Sequence, residues 1–153
     1  MTDRNGKPFA LDQYRGQPVV LIFYLGKGCT HCMEQLNAFD PLAAQFEKKG
    51  ITLLAVSTDT AQGLRDTFIG YDAKDRHFNF PLLSDPTLDT FRKYRAYDDF
   101  EQTPLHGTFL IDQTGKIRWQ EISHEPFMAP KFLLEESTRL LALPDRATAC
   151  AQK

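Results

Sequence analysis

Apolar residues fall along this chain in two periods. Val19-Val20-Leu21-Ile22-Phe23-Tyr24 is an unbroken apolar run, the right length for one buried strand. Ile51 to Ser57 and Gly107-Thr108-Phe109-Leu110-Ile111 read the same way. After the first run the period changes. Leu36, Phe39, Ala43 and Phe46 recur every three or four residues, as on one face of a helix. Leu64, Phe68 and Ile69 mark a second helix from about Ala61, stopped by Gly70. Phe132, Leu133, Leu140 and Leu141 mark a last one, opened by Pro130.

Breakers divide these runs. Pro41, beside Asn37 and Asp40, is expected to kink the first helix or end its first segment, and Gly50 to cap it near Lys49. Asp12 to Gly16 predicts one helical turn ended by glycine. Phe80 to Leu83 predicts a short strand or bend. Asp85-Pro86 predicts a helix start with proline at the first helical position, its face formed by Leu88, Phe91 and Tyr94 or Arg95. Asp112-Gln113-Thr114-Gly115 is a hairpin loop, so Ile117 to Ile122 returns beside the Gly107 strand. Tyr71 to Asn79 and Asp98 to Thr103 read as exposed polar loops. The order β-α-β-α, bend, helix, hairpin, helix predicts an α/β protein with a mixed central sheet and helices on both faces.

Length and charge narrow the function. At 153 residues the chain is expected to be a single domain with its core at about residues 5–143, cut from a longer protein. Its formal net charge of −2 implies neither nucleic acid nor an anionic membrane as partner. No run approaches the roughly 18 apolar residues of a membrane span. Met1-Thr2-Asp3-Arg4 has no apolar signal core behind it. A soluble chain is expected, with compartment and oligomeric state left open.

The candidate chemistry lies at the first strand-to-helix junction. Cys29 and Cys32 stand two residues apart, after the bend Gly26-Lys27-Gly28. A third cysteine, Cys150, stands alone in a polar tail, so no disulfide framework organises the chain. A thiolate at a helix start gains from unpaired N–H groups and partial positive charge, and a thiol two residues on can resolve a mixed disulfide. The competing reading, half a structural zinc site, lacks the second cysteine pair such sites use. No metal or organic cofactor is called for. Trp119 reads as packing, and His77 and His124 as surface or structural residues. Asp98, Asp99 and Glu101 read as a solvated cluster.

These stretches resemble the thioredoxin fold, and within it the redoxin or AhpC/TSA (peroxiredoxin-like) branch. The resemblance rests on Val19–Tyr24, Cys29–Leu36, Leu53–Asp59 and Thr108-Phe109-Leu110-Ile111-Asp112 with Gly115-Lys116-Ile117. It implies a three-layer α/β/α architecture and admits two alignments. Thioredoxin-like oxidoreductases carry Cys-x-x-Cys here, though with one residue fewer after the strand, with Cys29 as nucleophile and Cys32 as resolving thiol. Peroxiredoxins carry Pro-x-x-x-Thr-x-x-Cys. Counted without a gap from Phe23-Tyr24, that motif puts Cys32 on the peroxidatic position, Cys29 on the threonine and Leu25 on the proline.

The arginine of the peroxide site, three residues before Phe109, is His106, which also stands where thioredoxins keep a cis-proline. With the threonine and arginine both replaced, dithiol–disulfide exchange with protein or small-molecule thiols ranks first. Peroxiredoxin-like reduction of hydroperoxides ranks second. A scaffold that only binds a partner is the non-enzymatic alternative. Cys29-Thr30-His31-Cys32 also resembles the motif of Dsb-type disulfide oxidases, which carry histidine at the place of His31. The resemblance implies that His31 stabilises the thiolate; the competing reading is a solvent-facing residue of the first turn. Thr30 is a further site-shaping candidate. His106 is expected to face the cysteines, and Pro104 to fix the loop opposite them, with a trans bond as the default. Cys150 is either a second resolving thiol or incidental.

Overall fold

A computed structural model describes residues 1–70 and 78–144, with only the backbone of 68–70. The Val19 run forms β1 (Val19–Tyr24), buried along its whole length. It occupies the centre of a five-stranded sheet, where a strand apolar on both faces over six residues is covered on both. β2 (Thr52–Ser57) pairs parallel to it, Val19 opposite Thr52 and Tyr24 opposite Ser57. β3 (Leu82–Ser84) continues that side in parallel. On the other side β6 (His106–Ile111) runs antiparallel to β1, with Phe23 opposite Gly107. β7 (Ile117–Ser123) completes the order β3-β2-β1-β6-β7. Between the last two strands Asp112 shapes the hairpin. Its carboxylate accepts N–H bonds from Thr114 and Lys116 at 2.9 and 3.1 Å and faces the Arg118 guanidinium at 3.3 Å.

Side chains alternate across the sheet with period two. Val20, Ile22 and Tyr24 pack with Leu36, Phe39, Phe46, Leu64 and Leu133. These come from α1 (Thr30–Phe39), α2 (Ala43–Lys48), α3 (Ala61–Gly70) and α5 (Pro130–Ala142). Val19, Leu21 and Phe23 pack on the opposite face with Phe91, Ala96 and Phe109, under α4 (Asp89–Lys93). Phe23 meets Phe91 and Phe109 edge-on at 4.8 and 5.6 Å between ring centroids. This is the three-layer α/β/α thioredoxin-like arrangement. Pro41 does divide the first helix, through a 3-10 turn at Asp40–Leu42.

Two sequence expectations are corrected. Proline does not open α4. Leu88 sits at its N-cap with φ 60°, and the helix begins at Asp89. Asp85, four residues before, caps it from a distance: its carboxylate accepts the N–H groups of Thr90 and Phe91 at 2.7 and 3.2 Å. The Asp98–Thr103 loop is the turn of a small ribbon, in which β4 (Tyr97–Asp98) pairs with β5 (Thr103–Pro104). Most of the Tyr71–Asn79 loop, His77, the side chains of Phe68 and Ile69, and Cys150 lie outside the described residues. Among the described residues no helix is long and apolar enough to cross a membrane.

Candidate active site

The bend that delivers the cysteines is fixed from below by Asp59. Its carboxylate accepts the Lys27 N–H at 2.8 Å and the Ser57 hydroxyl at 3.0 Å. Gly26 takes φ +91°, and a Cβ there would stand 2.7 Å from Asp59 Oδ1, so only glycine fits. The chain then enters α1 with Cys29 as its N-cap, in extended conformation.

Cys29 and Cys32 are joined as a disulfide across the first turn of α1. The two sulfurs have different surroundings. Cys29, half-buried, accepts the Cys32 N–H at 3.2 Å, as an N-cap side chain does. Cys32 is fully buried. Its sulfur accepts the Leu25 N–H at 3.3 Å and lies 3.1 Å from His106 Nε2. The same nitrogen is 3.8 Å from Cys29. The antiparallel register makes this meeting possible: Gly107 sits opposite Phe23, which brings the start of β6 to the end of β1, where the bend begins.

His106 is 5% exposed. Its Nδ1 is buried and makes no hydrogen bond. Burial pushes the imidazole below its ordinary value, against smaller pulls from the backbone of His124 and Ser123 and from Glu125. Burial thus favours the neutral ring. One ring nitrogen is then free to carry the proton and the other to accept, which suits His106 either to donate to the Cys32 sulfur or to bind through Nε2.

The remaining predicted site residues fall into place around this pair. His31 does not turn toward the sulfurs. It is exposed on the outer face of the first turn, with Nδ1 3.5 Å from a Glu125 oxygen. Thr30 and Glu34 are exposed on the same turn, and His124 is exposed at the end of β7. Pro104, half-buried, lies in the ribbon at β5, and no cis peptide bond occurs among the described residues. Asp98 spends its carboxylate on its own turn. The N–H groups of Glu101 and Phe100 hold its pKa down. Trp119 packs edge-on against Phe127. Tyr24, whose phenol burial pushes far up, is core beside Ser57 and Asp59. Sequence reasoning missed the Leu25 N–H, which carries no side-chain signal, and Glu125, which only the return of β7 brings to His31.

Fold and site together define a thioredoxin-fold protein with a thiol–disulfide redox couple at the first helix start. The chain belongs to the AhpC/TSA family, whose model matches residues 1–120. Peroxiredoxin TSA1 of Saccharomyces cerevisiae is 32% identical over 120 residues, covering 76% of this chain and 61% of that protein. A curated relative from Clostridium pasteurianum is 32% identical over 115 residues, covering 73% of this chain and 64% of its own length. This chain thus spans under two thirds of either. Among solved structures, peroxidoxin BcpB of Mycobacterium tuberculosis superposes with a TM-score of 0.77 at 24% identity, covering 94% of this chain and 92% of that one. The reduced 2-Cys peroxiredoxin of Plasmodium vivax gives 0.77 at 20% identity, covering 91% and 88%. These two likenesses bear on the fold.

Proposed function

We propose that this chain reduces hydroperoxides with Cys32 as the attacking thiol and Cys29 as the resolving one. The relatives support this reading over disulfide exchange, which the departures from the family's motif ranked first. The observation that carries the reading is the setting of the Cys32 sulfur, beside the Leu25 N–H and the His106 ring nitrogen, at the position reached without a gap from Phe23-Tyr24. Donors to a thiolate lower its pKa and raise the reactive fraction.

The cycle follows from the two sulfurs. The Cys32 thiolate attacks the terminal oxygen of ROOH. An S–O bond forms, the O–O bond breaks, and the alkoxide takes a proton to leave as ROH. Cys29 then attacks the sulfenic acid and releases water, which leaves the Cys29–Cys32 disulfide. An external thiol attacks Cys29, the more open sulfur, and Cys32 departs as a thiolate; a second thiol then attacks the mixed disulfide, frees Cys29 and leaves joined to the first as a disulfide.

That last step is also the core of the second reading, exchange with protein or small-molecule disulfides. It is favoured by the replacement of the threonine and arginine positions by Cys29 and His106. The deciding experiment mixes reduced protein with hydrogen peroxide and, separately, with a model disulfide. On the peroxidase reading, peroxide consumption far exceeds that of a free thiol. Cys29→Ser then accumulates a sulfenic acid at Cys32 that a dimedone probe traps, and Cys32→Ser loses about 1000-fold or more of the rate. Fast exchange with peroxide reactivity no better than a free thiol overturns this reading and restores Cys29 as nucleophile. If neither reaction beats a free thiol, the scaffold reading stands.

A further inference from the structure

We infer that the reduced form of this site binds one Zn2+ ion through Cys29, Cys32 and His106. This goes beyond the peroxidase reading and does not depend on it. The three ligand atoms, one from each residue, lie within 4.8 Å of one another. Cys-x-x-Cys alone lacks the further ligands a zinc site needs, and the fold supplies one from 74 residues beyond Cys32.

The distances suit the metal. Tetrahedral zinc, with Zn–S of about 2.3 Å and Zn–N of about 2.05 Å, sets a sulfur and a nitrogen ligand ~3.5 Å apart and two sulfurs ~3.8 Å apart. His106 Nε2 already stands 3.1 Å from one sulfur and 3.8 Å from the other, on either side of that separation. Only the sulfurs must part, which breaking their bond on reduction allows. Both lie on the first turn of a helix, whereas His106 is held in a strand paired on both sides.

The donor set selects the ion. Two thiolates and an imidazole suit Zn2+ and discriminate against Mg2+ and Ca2+, which require oxygen. Ligation through Nε2 puts the ring proton on Nδ1. That atom is the buried, unpartnered one, and His106 stands opposite Ser123 of β7, next to backbone of the kind that orients a ligating histidine. Three protein ligands leave a fourth position for water or an incoming thiolate.

Zinc and oxidant then compete for the same electrons. When a hydroperoxide oxidises the bound pair, two thiolates give up two electrons to ROOH. The S–S bond forms, the O–O bond breaks, two protons are taken up, ROH and water leave, and Zn2+ is released. Zinc occupancy thus reports, and protects, the reduced state.

The test uses the chain carrying Cys150→Ser, so that only the pair supplies thiols, titrated with Zn2+ against a chromophoric chelator under argon. One equivalent binds the reduced protein and none binds the disulfide form. His106→Ala weakens binding at least about 100-fold while its disulfide still forms. Co2+ in place of zinc gives sulfur-to-metal charge-transfer absorption that disappears on adding peroxide. As a check that needs no variant, the His106 ring proton resonances of the unsubstituted reduced protein shift on adding zinc. Equal zinc binding by reduced and oxidised protein overturns the inference. So does retention of full affinity in His106→Ala, or an unmoved His106 resonance. The peroxide rate is a separate measurement, so its failure leaves this result legible.

Discussion

The first turn of α1 and the first residue of β6 both bring a histidine to the cysteine pair, and they do so in opposite ways. His31 lies between the cysteines in sequence, yet its ring is exposed and turns to Glu125. His106 lies 74 residues beyond Cys32, yet its ring touches the sulfur. The reason is geometric. On a helix, residues one apart point about 100° away from each other, so a side chain beside an inward cysteine faces outward. On an antiparallel pair, residues opposite each other share a face, so register, not sequence distance, decides who meets. The two regions also differ in stiffness. Every residue of β6 is buried and the strand is paired on both sides, whereas Thr30 and His31 are exposed.

The contrast is tested most heavily by loosening the platform under His106. Phe109 is fully buried three residues along the same strand and packs edge-on against Phe23 and Tyr94. Phe109→Ala is expected to cost about 3–5 kcal/mol of unfolding free energy, read from denaturant midpoints. A change in the exposed first turn, such as Thr30→Ala, is expected to stay within about 0.5 kcal/mol. Equal costs at the two positions would remove the distinction.

Next in size is the ring itself. If His106 is the donor that holds the Cys32 thiolate, His106→Ala slows peroxide reduction by about 100-fold. The loss appears in the rate at fixed pH and also as an upward move of the thiolate titration, followed by ultraviolet absorption. A slower rate with an unmoved titration would make His106 a packing residue. His106→Asn, which keeps one donor in the same space, is expected to recover part of the loss.

A smaller effect separates the regions by pH. Burial depresses the His106 pKa in the folded protein below its ordinary value of about 6.5. Between those two values the unfolded chain binds more protons than the folded one, so stability rises with pH across that window. The contribution is therefore full above about pH 6.5 and lost as pH falls through the depressed folded value. In the disulfide form, where no thiolate titrates at the pair, the melting temperature should decline on acidification below about pH 6.5, and His106→Asn should flatten that decline. An unchanged slope in the variant would assign the titration elsewhere.

The sequence carried the parts of this site that local patterning encodes. The apolar run of β1, the glycine bend and the change of period after Cys32 placed the cysteines at a helix start. Counting back from Phe109 placed His106 opposite them. The missed parts are those set by contacts between distant segments. Asp85 caps α4 from four residues before its first residue because Leu88 turns left-handed, a conformation that no apolar pattern announces. The ribbon β4–β5 is two residues on each side, too short for a period to show. Leu25 serves through its backbone N–H, a group every residue but proline carries. That detail matters at the site, because Leu25 stands where the peroxiredoxin motif has proline, which has no such donor.

The smallest expected effect falls on the histidine that sequence placed nearest the chemistry. With its ring outside and its contact a solvent-exposed pair with Glu125, His31 has little leverage on the Cys32 sulfur. His31→Ala is expected to change the peroxide rate by less than about twofold, and Glu125→Gln by no more. The two measured together are informative through their coupling. If His31 acted on the thiolate, its removal would shift the thiolate titration in the direction that His106→Ala does, and the double variant would show a non-additive loss. Additive, near-neutral effects at His31 beside a large effect at His106 would place the control of the sulfur in the sheet and not in the helix that carries the cysteines.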